Sequence, residues 1–147
     1  MEAAVLERSD AADVVIMAAA VADFRPKVAA GEKLKKQDGV PEVVLEPTTD
    51  ILAALGRRKR AGQILVGFAA ETSATRERAA EKLRAKDVDL MVANDVSAPG
   101  VGFEHDTNAV VMLGADGAEH NVPLADKRDV AGAVLDAVAR RLTQEQE

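Results

Sequence analysis

The chain has 147 residues, a formal net charge of −6 at pH 7 and 30% charged residues, a composition typical of one soluble globular domain over residues 1–147. It contains no Cys, Trp or Tyr, which excludes disulfides, thiolate catalysis, cysteine-ligated zinc and a Tyr-Lys reductase site. The negative balance disfavours nucleic acid and anionic membranes as partners. No signal-peptide pattern or long apolar span is present, so we expect a cytoplasmic protein.

The chain begins with a predicted helix over residues 2–8, followed at 14–18 by an apolar run led by β-branched residues. Such a run is typical of a strand buried on both faces in a parallel sheet. Small residues follow it and end in Asp23. Because ligands of open α/β sheets lie beyond the carboxyl ends of the strands, Asp23 is the first candidate for ligand binding. We expect Phe24–Pro26 to end regular structure, since the residue before a proline avoids the helical region.

A lysine-rich stretch comes next, at residues 27–36, where four of ten residues are lysines. Its plain interpretation is a solvated basic loop. Its functional interpretation is a flap that grips phosphate, because two or three lysines can outweigh the net charge of −6 at short range. Residues 43–46 then predict a short strand.

Two helices are predicted in the middle of the chain. Thr49 and Asp50 are N-cap candidates for a helix over Ile51–Arg58, whose start could also bind an anion. Residues 73–86 form the second helix by pattern. Its basic stripe consists of Arg78, Lys82 and Lys86 and is either a solvated face balanced by Glu77 and Glu81 or a second phosphate clamp.

Two further strands, at 63–72 and 89–97, repeat the pattern of an apolar run that ends in small and polar residues. Phe68 stands near the end of the first, where it either packs in the core or borders a base or sugar. Asn94 stands near the end of the second, where it either reads an amide or base edge or caps the following turn. Three such strands separated by helices predict a parallel sheet with one ligand crevice.

The last third of the chain has a different pattern. Residues 109–113 and 119–122, joined by a Gly-containing turn, predict a β-hairpin, and residues 126–142 predict an amphipathic closing helix. The hairpin could extend the sheet or form a dimer surface. His105 and His120 have no acid–base partner in the pattern and are interpreted as surface or turn residues.

Four motifs resemble one known family when they are taken together. They are Ala18-Ala19-Ala20-Val21-Ala22-Asp23-Phe24-Arg25-Pro26, Glu32-Lys33-Leu34-Lys35-Lys36, Gly67-Phe68-Ala69-Ala70-Glu71-Thr72 and Ala93-Asn94-Asp95-Val96. In this order they resemble phosphopantothenoylcysteine synthetase (phosphopantothenate–cysteine ligase), usually the C-terminal part of a bifunctional bacterial coenzyme A enzyme. The resemblance covers residues 13–142. It implies an α/β fold, a Rossmann-like three-layer sandwich with a mostly parallel sheet and a C-terminal β-hairpin extension.

The resemblance also implies a reaction and its site. Such enzymes activate the carboxylate of 4′-phosphopantothenate with CTP and Mg²⁺, and the amine of L-cysteine then attacks the acyl-cytidylate. By resemblance Lys33 is catalytic, and Ala20 and Asn94 contact substrate or intermediate. The nucleotide-binding set that the resemblance implies is Met17, Ala18, Ala19, Asp23, Lys33, Thr49, Asp50, Ile51, Leu52, Phe68, Lys82 and Lys86. No metal ligand is assigned, and a homodimer through residues 103–122 is expected.

The family also carries segments that this sequence does not match. These are a glycine-rich first strand-loop-helix, a segment with an Asn and a Ser-Ser-Gly-Lys run, and an FMN-dependent decarboxylase domain, fused or partnered. We therefore expect residues 14–18 to be an interior strand whose first neighbour this sequence lacks. We also expect the isolated chain to be inactive or severely impaired in full turnover and to have no FMN of its own.

Two alternative functions remain open from the sequence. One is a non-enzymatic nucleotide-binding module that senses CTP or CMP. The other is a Rossmann-like oxidoreductase, which the lack of any Gly-x-Gly-x-x-Gly element and of Tyr disfavours.

Overall fold

The computed structural model describes residues 1–35, 39–102 and 104–144. Lys36, in the predicted lysine-rich loop, and Phe103, at the start of the expected dimer surface, lie outside these ranges. The chain folds into two compact units, residues 1–18 with 51–147 (unit 1) and residues 19–50 (unit 2). In chain order the elements are α1 (Glu2–Ser9), β1 (Val14–Met17), β2 (Phe24–Pro26), β3 (Leu45–Pro47), α2 (Ile51–Arg58), β4 (Ile64–Glu71), α3 (Thr75–Lys86), β5 (Leu90–Asp95), β6 (Thr107–Gly114), β7 (Glu119–Asp126) and α4 (Lys127–Gln144).

Unit 1 is built on a five-stranded sheet with the spatial order β1-β4-β5-β6-β7. The pairs β1–β4 and β4–β5 are parallel, and β6 and β7 continue the sheet antiparallel. The parallel sheet of three strands and the added hairpin are therefore as the sequence predicts. The register shifts between Asn108 and Val110, so the hairpin contains one irregularity.

Alternate side chains of the strands point into two hydrophobic cores, one on each face of the sheet. Leu65 and Met91 face α1, α2 and α3, whereas Val66 and Val92 face α4. All four side chains are at most 1% exposed. Helices on both faces of one sheet make three layers, which confirms the predicted α/β class.

β1 differs from its prediction. It ends at Met17, and among the described strands it pairs with β4 alone, so its expected place in the interior of a larger sheet stays a prediction. None of its residues is fully buried, and Ile16 is 38% exposed. The apolar run was expected to be buried on both faces. That expectation is wrong for these residues, because Ile16 lies on the α4 side of the sheet and belongs to neither hydrophobic core.

Unit 2 contains a two-stranded antiparallel ribbon, β2 with β3. We expected regular structure to end at Phe24–Pro26, and this expectation is wrong, because these residues form β2. The bias of a pre-proline residue away from the helical region is compatible with an extended strand. The strand predicted at 43–46 is shifted to Leu45–Pro47, and the ribbon continues with a hydrogen bond from Lys27 N–H to the Val44 carbonyl at 2.9 Å. No described residue of unit 2 is buried.

The remaining elements follow the predictions closely. Helix α2 has the predicted bounds, α1 ends one residue later than predicted, and α4 begins one residue later and ends two residues later than predicted. Helix α3 starts at Thr75 instead of residue 73, because Ala74 has a positive φ of 48°. None of the helices in the described ranges combines the length and apolar content that crossing a bilayer requires.

Candidate functional site

The carboxyl ends of the parallel strands meet at one edge of the sheet in unit 1. On the central strand β4, Gly67 lies opposite Met17 of β1, and Ala70, three residues further along β4, lies opposite Asn94 of β5. The fold therefore brings the ends of the predicted nucleotide-binding strands side by side, as the sequence pattern requires. This carboxyl edge is where open α/β sheets bind ligands.

Helix α2 begins at the same edge, packed against Gly67. A Cβ atom on Gly67 would lie 2.6 Å from Leu52 Cδ2 and 2.9 Å from Met91 Cε, so a larger residue would require these two side chains to shift. Ile51 and Leu52 are 4% and 8% exposed and belong to the core. Their side chains pack in the core, whereas the first backbone N–H groups of a helix have no partner within the helix and are the groups of this segment suited to bind an anion.

Phe68 follows Gly67 and points to the opposite face of the sheet, the α4 side. It is 40% exposed and belongs to neither core, so the core-packing interpretation of this residue is wrong. Ile16 is exposed on the same face one strand away. The ring of Phe68 is thus an apolar surface open to solvent at the carboxyl edge.

Glu71 is the last residue of β4 and the one buried carboxylate at the described carboxyl edge, with a side chain 6% exposed. It accepts hydrogen bonds from Lys82 Nζ at 2.6 Å and from Arg78 Nη1 at 3.3 Å. Burial by itself raises the pKa of the Glu71 carboxyl, but the hydrogen bonds and charges of Lys82 and Arg78 outweigh it and leave the pKa below its usual value. Two of the three cations in the predicted basic stripe are therefore gathered on one acid.

Lys86 ends α3 one turn after Lys82. Its carbonyl oxygen lies against α2, where a Cβ on Gly56 would overlap it. The backbone of Lys86 thus packs beside α2, one turn along α3 from Lys82, whose ammonium reaches Glu71 at the end of β4.

The amide of Asn94 does not cap the turn after β5. Its Nδ2 donates to Asn108 Oδ1 at 3.3 Å, across to β6. The cap is Asp95, whose Oδ1 accepts from the Ser97 hydroxyl at 2.5 Å and from the Ser97 N–H at 2.9 Å. These two hydrogen bonds lower the pKa of the Asp95 carboxyl. The turn-capping alternative for Asn94 is therefore wrong, and the sequence had assigned no role to Asp95.

Unit 2 carries the remaining predicted site residues. All of them are exposed, namely Ala19, Ala20, Asp23, Lys33, Thr49 and Asp50. The Asp23 carbonyl accepts from Thr48 N–H at 2.8 Å, and Arg25 pairs with Glu46 at 2.7 Å across the ribbon. Ala18 and Met17 belong to unit 1. Asp23 is thereby fixed by its backbone at the base of the ribbon, and its side chain lies on the surface.

The described residues contain no group of three His, Cys, Asp or Glu side chains that could hold a metal ion. Mg²⁺ is commonly held by one or two carboxylates together with the phosphates of a nucleotide, and it keeps several waters. An ion bound in this way would need at most one or two carboxylates from the protein. His105 and His120 are both exposed, as expected.

Comparison with known proteins identifies the family. A family model described as DNA/pantothenate metabolism flavoprotein C-terminal domain matches residues 1–142. The chain belongs to this family. The match covers both units and every predicted site residue.

Two curated proteins and one solved structure are similar to this chain over nearly its whole length. The "Coenzyme A biosynthesis bifunctional protein CoaBC" of Bacillus subtilis (strain 168) is 50% identical over 139 residues, which are 95% of this chain and 34% of that protein. A "Cysteine/Cysteine sulfinic acid decarboxylase" from an unknown prokaryotic organism is 38% identical over 92% of this chain and 38% of its own length. The crystal structure of the C-terminal domain of a CoaBC protein superimposes with a TM-score of 0.75 at 36% identity, covering 99% of this chain and 61% of that one. The chain spans about a third of the length of these two curated relatives.

Sequence reasoning missed one relationship in this family domain, the pairing of Glu71 with Lys82 and Arg78. A signal for it exists in the sequence. The acid ends a strand, and the two cations follow on the next helix, four residues apart and so on one face. From the sequence pattern, the negative charges that offset the basic stripe are instead assigned to Glu77 and Glu81, which lie on the same helix.

Proposed function

We propose that this chain is the synthetase part of a phosphopantothenate–cysteine ligase of coenzyme A biosynthesis. The observation that carries the proposal is the 50% identity, over 95% of the chain, to a protein named for coenzyme A biosynthesis. The geometry supports it, because cations, an exposed aromatic ring and a helix start all lie at the carboxyl edge of the sheet. A triphosphate, a base and a carboxylate substrate require groups of these kinds.

The proposed reaction has two steps. The carboxylate of 4′-phosphopantothenate attacks the α-phosphate of CTP, forming an acyl-cytidylate and releasing pyrophosphate. The amine of L-cysteine then attacks the acyl carbon, forming the amide and releasing CMP. Both steps need positioning and charge compensation, and neither needs a protein nucleophile, which suits a chain without Cys.

The cations of the chain have defined roles in this proposal. The first step brings two anions together and develops charge on the leaving pyrophosphate, so positive side chains lower its barrier. Lys33 acts in acyl-cytidylate formation, and Lys82 and Lys86 hold the triphosphate. Mg²⁺ enters with CTP as part of the substrate and supplies further charge compensation.

The other predicted residues bind and orient. Phe68 offers its exposed ring to the cytidine, and the first-turn N–H groups of α2 at Ile51 and Leu52 face the nucleotide. Asp23 contacts the nucleotide, and Asn94 contacts the substrate or intermediate. We further propose a fused or partnered decarboxylase domain and a homodimer through the β6–β7 hairpin.

A pyrophosphate-release assay tests the proposal. With CTP, Mg²⁺ and 4′-phosphopantothenate, Lys33→Gln is expected to reduce release by about a hundredfold or more, a loss typical of removing one group that stabilises transition-state charge. Lys35→Gln is the matched control, since it removes the same charge from the same exposed loop, and it is expected to retain activity. Equal activity of the two variants would contradict the role of Lys33.

The same assay separates the alternatives. CTP binding measured by calorimetry without pyrophosphate release would favour a nucleotide-binding module. The relative named as a cysteine or cysteine sulfinic acid decarboxylase favours a second candidate, a domain of a decarboxylase. Loss of carbon dioxide from cysteine sulfinate, with no response to CTP, would support that candidate and overturn the ligase.

A further inference from the structure

Glu71 is fixed at the carboxyl edge from both of its ends. Its carbonyl accepts a hydrogen bond from Val96 N–H at 2.8 Å, which ties the end of β4 to the turn after β5. Its side chain is buried and engages Lys82 and Arg78. The acid is thus held by the sheet, while both cations come from α3.

Unlike the buried Glu71, the two cations are partly exposed to solvent. Lys82 is 43% exposed and Arg78 is 52% exposed, so their long side chains would sample many rotamers without a partner. Removing a carboxylate from water is costly unless it is paired, so the buried Glu71 keeps its partners. The acid therefore restrains the cations, rather than the reverse.

The cluster has one positive charge in excess, because one carboxylate faces two cations. Its Lys82 ammonium has further donors beyond the one given to Glu71, and so does the Arg78 guanidinium. Since both cations are partly open to solvent, these donors can reach an anion while Glu71 holds the opposite side of each group.

We propose that Glu71 is a positioning residue that holds Lys82 and Arg78 as a paired cationic clamp for the phosphate chain of a nucleotide. The proposal deepens the function proposed above and rests on its nucleotide site. It adds Arg78 to the phosphate-binding groups and gives Glu71 a role through its neighbours, without contact to substrate.

The sign of one substitution distinguishes positioning from bulk electrostatics. Neutralising Glu71 raises the positive charge of the clamp, so charge alone predicts tighter binding of a polyphosphate. Loss of positioning predicts weaker binding. Glu71→Gln is therefore expected to weaken binding of Mg²⁺–CTP and of inorganic tripolyphosphate by about tenfold, the value of one hydrogen bond to a charged group.

A mutant cycle supplies the readout that a merely structural role would not move. Lys82→Gln and Arg78→Gln should each weaken both ligands, and Glu71→Gln should add little in a background that carries both Lys82→Gln and Arg78→Gln, since no cation is left for it to position. Asp116→Asn is the matched control, because it also removes a carboxylate paired with an arginine, at the β6–β7 turn, and should leave binding unchanged. Calorimetry on the purified protein gives the dissociation constants, and the melting temperature reports folding.

The outcomes separate this inference from the ligase. Weaker binding by Glu71→Gln that is absent in the background lacking both cations supports it, even if no pyrophosphate is released in the ligase assay. Unchanged or tighter binding by Glu71→Gln, additive effects in the cycle, or no tripolyphosphate binding by the unsubstituted protein overturns it. Should Glu71→Gln not fold, Glu71→Asp withdraws the carboxylate by one methylene and is expected to bind more weakly, and normal binding by that variant overturns the proposal.

Discussion

Single residues at the carboxyl edge show how burial decides the role of a charge. Glu71 and Asp95 end neighbouring strands at the same level of the sheet. Glu71 is buried and depends on cations from α3, whereas Asp95 is partly exposed and is satisfied by the turn that it caps. An acid in the same strand position therefore supports a cation pair in one case and a loop in the other.

The lowered pKa of Glu71 predicts a pH dependence of stability. A carboxyl whose pKa is lower in the folded than in the unfolded state stabilises the fold above its unfolded pKa, near 4.5. This contribution is lost as the pH falls through the lower folded value. The difference in unfolding free energy between the unsubstituted protein and Glu71→Gln is therefore expected to shrink as the pH falls below about 5.

Urea denaturation at a series of pH values measures that difference. The Lys82→Gln protein should lose less unfolding free energy on acidification than the unsubstituted protein, since the substitution removes the first partner of the Glu71 carboxylate. A difference that stays constant down to about pH 3 would mean that Glu71 titrates alike in both states.

Helices α2 and α3 meet where the backbone of one touches the other. Gly56 lies in the last turn of α2, and a Cβ there would overlap the Lys86 carbonyl oxygen and stand 3.0 Å from its carbon. Both are backbone atoms, so no rotamer change can relieve the overlap. This contact fixes the end of α3, which carries Lys82 one turn earlier.

Two glycine substitutions test the helix contact. Gly56→Ala is expected to destabilise the fold by about 1–3 kcal/mol, because overlap outweighs the gain in helix propensity. Gly132→Ala in α4 is the control. A Cβ there meets nothing within 4 Å, so it should stabilise by up to about 1 kcal/mol.

Thermal or urea unfolding measures the loss of stability expected for Gly56→Ala and the gain expected for Gly132→Ala. If the Gly56→Ala protein is as stable as the Gly132→Ala protein, α2 and α3 can move apart at little cost in free energy, and the close approach at Gly56 does not contribute to stability.

At the scale of the whole molecule, the two units differ in how they are stabilised. Unit 1 has two hydrophobic cores on either side of a sheet. Unit 2 has backbone pairs and the Arg25–Glu46 ion pair, and none of its described residues is buried. Apolar burial is the dominant favourable term in folding, so the local stability of unit 2 is expected to be the lower.

Hydrogen exchange followed by mass spectrometry tests this contrast. Amides of β4 and β5 are expected to exchange only on global unfolding, while those of β2 and β3 exchange much faster through local opening. Equal protection in both units would show that unit 2 is stabilised by more than the interactions described within it.

Much of the fold was predictable because local patterns carry it. Continuous apolar runs predicted β4 and β5, the Ile51–Arg58 periodicity predicted α2, and the turn residues after β6 predicted the hairpin. Less of the site was predictable. The strand ends and the lysines were recognised by residue type, but their contacts depend on which elements become neighbours.

The sequence by itself determined the order of helices and strands, the α/β class and the set of charged residues near the strand ends, since each depends on local periodicity and composition. Only the tertiary structure decided that β1 pairs with β4, that Phe24–Pro26 pairs with Leu45–Pro47, and that Glu71 pairs with both Lys82 and Arg78. The physical reason is that burial and pairing are properties of neighbours distant in the chain. A lysine pattern fixes where charge is available, and only packing fixes which acid restrains it.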